Sequence, residues 1–416
     1  MSIFIKNALL NGKKQNILIE DNLISYIGKD KQEADETINA NKKAILPGLI
    51  NTHTHSSMTL LRSYADDLPL MDWLQTKIWP AEAKLKPEHI RAGTKLACLE
   101  MIKSGTTCFN DMYFYPEEIA KTTSELGMRA VIGIPVIDIF PNPLVDSSEK
   151  AIISKIEELG KFGDLITPAI APHAVYTVTK EKLKWIGDYS EENNLLVHTH
   201  LSETEQENKD CVKKYGKTPT QLLKDCNLLS SRLIAAHSVW LNEEDAKSLG
   251  NNKVTLAHCP AANMKLSVGH AFNFALTRSC GCNICLGTDG ASSNNNLDMF
   301  NVMKMAALLQ KYDYDNPTLM NASETFNLAT RAGAQALRVN AGVIEKGKLA
   351  DVILIDLKNP KLVPSHNLES SLVYSADSSC VETVIINGKI VMQNYKVEGE
   401  DRIVEEAEKS AMDLVK

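Results

Sequence analysis

Residues 44–55 read AILPGLINTHTH, an apolar run ending in two histidines two positions apart, His53 and His55. On a strand, side chains two apart share a face, so this run sets two imidazoles side by side at a strand end. The same grammar repeats along the chain. Eight β-rich runs follow one another: Ala44–His55, Thr106–Met112, Arg129–Ile137, Leu165–His173, Leu195–His200, Leu233–His237, Val254–His258 and Asn283–Asp289. Helical stretches such as Glu88–Lys103 and Glu149–Phe162 lie between them. Alternation of this kind is the signature of a parallel sheet. An open doubly wound sheet and a (β/α)8 TIM-type barrel both satisfy it. The strand ends decide for the barrel. Seven of the eight runs close on His or Asp: His53 and His55, Asp111, His173, His198 and His200, His237, His258, Asp289. An apolar strand ending in an unpartnered polar group is costly. Barrel enzymes, in contrast, gather their chemistry at the C-terminal ends of the strands.

Outside the barrel the pattern changes to short antiparallel strands. Ile3–Gly28 alternates apolar and polar residues with turns at Asn11-Gly12 and Asp21-Asn22. Asp351–Leu357 (DVILIDL) and Val381–Met392, with an Asn387-Gly388 hairpin signal, match it at the other end. The reading is a small β-sandwich built from both terminal segments beside the barrel. It divides the chain into 1–47, 48–340 and 341–416, the last ending in a charged, solvated tail helix.

Composition excludes several classes. The chain has 416 residues, 44% of them hydrophobic and 23% charged, with net charge −7. That is globular composition with no basic footprint for nucleic acid. No apolar run reaches the ~18 residues of a membrane span, and no signal-peptide core follows Met1. Nine cysteines, an odd and scattered set, read as free thiols of a cytoplasmic protein. Cys280, Cys282 and Cys285 lack a nearby fourth ligand and read as buried thiols, not a cluster site.

The strand-end residues define a metal centre. His53 and His55 form one half. His198-Thr199-His200 forms another end, with Glu203 three residues on. Of its two histidines, His200 is taken as the ligand because it lies nearer the strand end and Glu203, and His198 as a packed supporting residue. Asp289 closes the eighth run. Three imidazoles and one carboxylate suit Zn²⁺ or Fe²⁺. A fourth imidazole, His237, is left to orient a bound water. Taken alone, His237 also fits a buried histidine bonded to backbone, and Asp289 an Asx-turn before Gly290. His258 either lines the site or braces it. His89, His270 and His366 lie away from strand ends.

In order, PGLINTHTH, HTHLSE, AAHSVWL, HCPAAN and GTDGASSNN resemble the amidohydrolase superfamily. MDWLQTKIWPAEAKL (Met71–Leu85), NDMYF (Asn110–Phe114) and APHAVYT (Ala171–Thr177) narrow the resemblance. They point to its 5′-methylthioadenosine/S-adenosylhomocysteine deaminases and archaeal 5′-deoxyadenosine deaminases, and the similarity runs through nearly the whole chain.

The resemblance implies one divalent metal, Zn²⁺ first and Fe²⁺ or Mn²⁺ otherwise, held by His53, His55, His200 and Asp289. It implies Glu203 as the proton-transferring carboxylate and Glu82 as the residue that holds ribose hydroxyls. His173 would bind substrate, with Trp73 and Ser293 near the nucleoside. A small nucleoside is the expected partner, with no nucleic acid and no membrane, in a homo-oligomer, a tetramer. The implied reaction is hydrolytic deamination at purine C6: Glu203 protonates N1, Asp289 accepts the water's proton and His237 orients that water. The thiolate-ligated zinc deaminases are excluded, because their H-x-E and P-C-x-x-C pair is absent.

One departure bears on the substrate. Members of the family that act on S-adenosylhomocysteine place arginines on or just after the third barrel strand. Here no arginine occurs between Arg129 and Arg232, and residues 130–143 read AVIGIPVIDIFPNP. An apolar pocket for a 5′-methyl or methylthio group is expected instead. The competing readings are a guanine, cytosine or chlorotriazine hydrolase of the same fold, against which Glu82 speaks, and a catalytically inactive scaffold, against which the intact ligand set speaks.

Overall fold

A computed structural model describes residues 1–140 and 142–416. Pro141, in the apolar stretch after the third barrel strand, lies outside the described residues. Among the described residues, sixteen strands form two eight-stranded sheets.

The first sheet takes strands from both ends of the chain. They are β1 (Ser2–Leu10), β2 (Lys13–Glu20), β3 (Leu23–Gly28), β4 (Glu36–Asn39), β5 (Lys43–Pro47), β14 (Val352–Asp356), β15 (Val381–Ile386) and β16 (Lys389–Met392). Its order is β16-β15-β14-β5-β1-β2-β3, with β4 alongside β1. The terminal segments meet where β5 pairs antiparallel with β14, from Val352 opposite Pro47 to Asp356 opposite Lys43. The β15–β16 turn puts Asn387 and Gly388 at φ 52° and 73°, the left-handed backbone that an Asn-Gly hairpin favours. At the far edge the sheet folds back on itself. Ile24 N donates to Lys348 O (2.9 Å) and Ala350 N to Asn22 O (2.8 Å). The fold encloses its own core of Ile3, Ile5, Ile17, Ile19, Ile45, Val352 and Leu354.

The second sheet is the barrel. Its strands are β6 (Leu49–Thr54), β7 (Thr106–Met112), β8 (Arg129–Val136), β9 (Ile166–Pro172), β10 (Leu196–Leu201), β11 (Leu233–His237), β12 (Thr255–His258) and β13 (Asn283–Leu286). They are parallel and ordered sequentially. Most are buried on both faces, which explains why they read as apolar runs. The barrel closes between β13 and β6. Thr52 Oγ1 donates to Leu286 O (2.8 Å), Thr288 N to Asn51 Oδ1 (3.0 Å) and Asp289 N to His53 O (3.0 Å). The strands approach so closely that a Cβ on Gly287 lies 2.9 Å from His53 Cβ and 3.0 Å from its backbone N and O. Only glycine fits that seam without a shift.

Two sequence expectations need correction. Ala44–His55 is not one strand: it breaks at Gly48, and β5 belongs to the first sheet while β6 opens the barrel. A Cβ at Gly48 would sit 2.1 Å from Thr107 Oγ1, so the chain crosses between the sheets where only glycine passes. The helix Glu400–Leu414 is not a solvated tail. It buries Ile403, Ala407 and Leu414 and pairs Glu400 with Lys103 (2.8 Å) and Glu406 with Lys95 (2.7 Å) on the helix Pro87–Lys103.

One buried ion pair ties the sheets together away from the strand C-termini. Arg129, at the start of β8, donates from Nε to Asp351 Oδ2 (2.7 Å) and from Nη2 to Asn387 Oδ1 (3.1 Å). Arg129 is thus used at the end of the barrel opposite the site. No helix among the described residues is long and apolar enough to cross a membrane.

Candidate metal centre and substrate cavity

The parallel strands bring His53, His55, His200, His237 and Asp289 together at the C-terminal mouth. Backbone carbonyls fix the ring orientation of two of them. His55, just beyond β6, holds Nδ1 2.5 Å from Met112 O at the end of β7. His200, in β10, holds Nδ1 2.8 Å from His173 O, just beyond β9. A carbonyl only accepts, so both rings donate from Nδ1, and the neutral form of each turns a bare Nε2 inward. These two Nε2 atoms lie 3.4 Å apart. His53 Nδ1 is engaged by His198 Nε2 at 2.7 Å, which aims His53 Nε2 at the same point. Asp289 Oδ1 lies 3.2 Å from His55 Nε2 and 3.3 Å from His53 Nε2.

This is a convergence of acceptors, and a divalent cation satisfies it. A lone proton can join only one pair. The titration of the histidines reflects the same demand. Burial drives His53 down to about 3 and His200 well below the ordinary value. Burial also lowers His55, but the bond to Asp289 and its charge outweigh that and raise it to about 9. Asp289 is raised by burial, but its bonds to His53 and His55 outweigh that and hold it well below the usual carboxylate range. The residues present therefore fit one divalent metal ion, with His53, His55 and Asp289 forming one close ligand group and His53, His200 and His237 a second.

Asp289 lies three residues past the end of β13, on a left-handed residue (φ 62°). Ser293 Oγ donates to Asp289 Oδ2 at 2.7 Å. Ser293 also lines the cavity, but its hydroxyl is spent on this carboxylate. His237, also left-handed (φ 66°), holds Nδ1 2.8 Å from Asn263 Oδ1 and keeps Nε2 3.9 Å from Glu203 Oε2.

A cavity of about 370 Å³ opens over the centre. His55, His200, His237, Asp289, Glu203, Glu82, His173, Trp73 and Ser293 all line it, while His53 is fully buried behind. The segment Leu70–Glu82 brings Trp73, Ile78 and Glu82 to one wall. Glu82 is 8% exposed, and burial raises it to about 7 against the opposing bond from Tyr113. Burial also raises Glu203 and lowers His173 to about 4, leaving that ring neutral. His173 Nδ1 lies 3.1 Å from Thr177 Oγ1. His258 is not in the cavity wall: it is buried, and its ring stacks on Phe272 at 4.7 Å.

Sequence reasoning missed the supporting contacts. Tyr113, which donates to Glu82 Oε1 at 2.8 Å, stood in the quoted NDMYF block but carried no signal of its own. Asn263, the partner of His237, likewise lay inside HCPAAN. Glu207, whose carboxylate accepts from Ser202 N and Glu203 N, carries only a helix-start signal in the sequence, Thr204-x-x-Glu207, and it went unread.

Fold and site together define a class, the metal-dependent barrel hydrolases with a His/Asp centre at the strand C-termini. The chain belongs to the amidohydrolase family, whose model matches residues 44–391. Over 99% of both chains it is 46% identical to a 5-methylthioadenosine/S-adenosylhomocysteine deaminase from Archaeoglobus fulgidus. It is 47% identical to a 5′-deoxyadenosine deaminase from Methanospirillum hungatei, over 92% of this chain and 86% of the relative. A crystal structure of an adenosine deaminase from Xanthomonas campestris with bound Zn superposes with a TM-score of 0.94. It is 33% identical and covers 99% of this chain and 98% of that one.

Proposed function

We propose that the protein is a metal-dependent aminohydrolase of 5′-substituted adenosines. It releases ammonia from the purine 6-amino group of 5′-deoxyadenosine, 5′-methylthioadenosine, S-adenosylhomocysteine or adenosine and leaves the inosine analogue. One observation carries the reading. A single cavity joins a cation centre, a carboxylate beside it with no hydrogen-bonded partner among the described residues (Glu203), and a second buried carboxylate (Glu82) with acceptor positions to spare.

When bound, the metal supplies a nucleophilic water whose pKa is lowered toward ~7. Zn²⁺ is the ion we assign, with Fe²⁺ or Mn²⁺ as substitutes, on the strength of the imidazole-rich donor set. His53, His55, His200 and Asp289 would hold it. Glu203, raised by burial, carries a proton to purine N1, which makes C6 electrophilic. His237 Nε2 faces the same space and orients the attacking water. Asp289 takes the water's proton, with Oδ2 steadied by Ser293. Glu203 then serves the departing amine. Tyr113 occupies one lone pair of Glu82 and leaves the rest for two ribose hydroxyls. The wall contributed by Pro135, Ile137, Phe140 and Leu144 is apolar and suits a 5′-methyl or methylthio group. All nine cysteines are free, in keeping with a reducing cytoplasm.

The test is ammonia release by the zinc-loaded protein from the four nucleosides, with guanine and cytosine as controls. Turnover of the nucleosides and not of the bases is expected. Turnover of a base alone would overturn the reading and strip Glu82 of its role.

A further inference from the structure

The Glu203 carboxylate is open to the cavity, and among the described residues nothing hydrogen-bonds to it; His237 Nε2 stands 3.9 Å from its Oε2. Its aim is therefore set by its backbone. That backbone makes an unusual turn. β10 ends at Leu201, and Ser202 follows with φ +47°, a left-handed conformation that costs a non-glycine residue free energy.

The turn is clamped from both sides. Ser202 O accepts from Val239 N (3.0 Å) and Trp240 N (2.8 Å) in the loop after β11. On the other side stands Glu207. Its Oε1 accepts from Ser202 N and its Oε2 from Glu203 N, each at 2.8 Å. Glu207 is 6% exposed and sits in the first turn of the helix Glu205–Tyr215, whose cap is Thr204 Oγ1 accepting from Glu207 N (3.2 Å). A carboxylate in this position ordinarily reaches back to the cap residue's own N–H. Here it reaches further, past Thr204, to the two N–H groups that orient Glu203.

We propose that Glu207 is a positioning residue for the reaction: its two carboxylate oxygens hold the Ser202–Glu203 backbone so that Glu203 meets the substrate's ring nitrogen. The proposal rests on the reading of Glu203 as the proton carrier. It makes Glu207 act through Glu203 and through nothing else in the site. A proton carrier displaced by ~1 Å loses about 10²-fold in rate, so a clamp on its backbone has catalytic weight.

The test is a double-mutant cycle on the metal-loaded enzyme. Glu207→Gln is isosteric but offers one acceptor oxygen and sets an NH₂ group against the other backbone N–H. Its kcat is expected to fall by about 10- to 100-fold, while KM and metal per chain stay near the parent's. Glu203→Gln alone is slow, and Glu203→Gln with Glu207→Gln is no slower. Should the Gln variant not accumulate as folded protein, Glu207→Asp runs the same cycle: it keeps the charge but is one methylene short of reaching both N–H groups. A purely structural Glu207 gives a different pattern, in which kcat falls only as far as folded protein and bound metal fall, by the same factor in both backgrounds. That pattern, or an unchanged kcat in Glu207→Gln, overturns the proposal. A fast Glu203→Gln enzyme overturns instead the reading on which it rests.

Discussion

The 5′ substituent offers the sharpest trial of the cavity. The wall at and after the end of β8 presents Pro135, Ile137, Phe140, Pro143 and Leu144, and no lysine or arginine stands among the described lining residues. A candidate cation, Lys182, lines an adjoining groove that shares Ile137, Phe140, Asn142 and Pro143. It is engaged elsewhere, 3.9 Å from Glu149 and 5.3 Å from the Trp185 ring, and Asp138 and Asp146 share its groove. S-adenosylhomocysteine carries a carboxylate into this surrounding, and 5′-deoxyadenosine a methyl group. Leaving a polar group without a partner costs ~1–3 kcal/mol, and a charge more. Each kcal/mol is about fivefold, so kcat/KM for S-adenosylhomocysteine is expected ~10²-fold below that for 5′-deoxyadenosine. The 5′-hydroxyl of adenosine lies between the two, and methylthioadenosine ranks at or above 5′-deoxyadenosine, since each added buried CH₂ gains ~0.8 kcal/mol, about fourfold. Initial rates of ammonia release with all four at saturating metal give the ratios directly. Equal kcat/KM for S-adenosylhomocysteine and 5′-deoxyadenosine refutes the charge argument. If Lys182→Ala then removes only the former activity, that lysine leaves Glu149 and Trp185 to meet the substrate carboxylate.

Three further outcomes follow from the site. His55→Ala is expected to lose bound metal and turnover together, whereas Glu203→Gln keeps its metal and loses ~10²–10⁴-fold in kcat; elemental analysis beside rate assays separates the two. Glu82 must be ionised to accept two hydroxyls, and its folded value of about 7 stands above the ordinary carboxylate value. Thus kcat/KM should rise with pH through about 7 and level off above it, and a 2′,3′-dideoxy substrate should lack that limb. Gly287→Ala places a methyl group 2.9 Å from His53 Cβ at the barrel seam. It is expected to cost ~1–3 kcal/mol of stability and to weaken zinc retention in a chelator competition, and an unaffected zinc affinity would mean that the seam relaxes without moving His53.

The sequence showed the barrel because parallel strands buried on both faces are written as unbroken apolar runs, and because a ligand at the end of such a run has no other reason to be there. The same property hid the break at Gly48, where apolar residues continue across the passage from β5 to β6. The final helix was misjudged for a related reason. Its Glu400 and Glu406 read as solvated charges, but they answer Lys103 and Lys95 on a helix some three hundred residues earlier. Glu82 shows the limit most clearly. Nothing in the local pattern separates it from a surface helix charge, and only family resemblance marked it before Tyr113 was seen beside it. Tyr113, Asn263 and Glu207 act on other side chains or on backbone and not on the centre itself. Contacts of that kind depend on which loops the barrel brings together, and spacing along the chain does not encode them.

The centre's geometry is a property of the barrel more than of its ligands. His55 leaves β6, but its ring is turned by a carbonyl of β7. His200 belongs to β10, and its ring is turned by the carbonyl of His173, just beyond β9. Asp289 follows β13, and its backbone is held by the carbonyl of His53 across the seam. In each case a neighbouring strand decides which atom faces inward. A strand pair slipping by one residue would point a ligand's neighbour at the centre instead. Parallel register therefore does for this site what a dedicated hydrogen-bonding residue does elsewhere. It also explains why His198, with no place in the cavity, sits 2.7 Å behind His53. His53 is the one ligand whose ring no strand carbonyl holds, so a second histidine supplies that contact from β10.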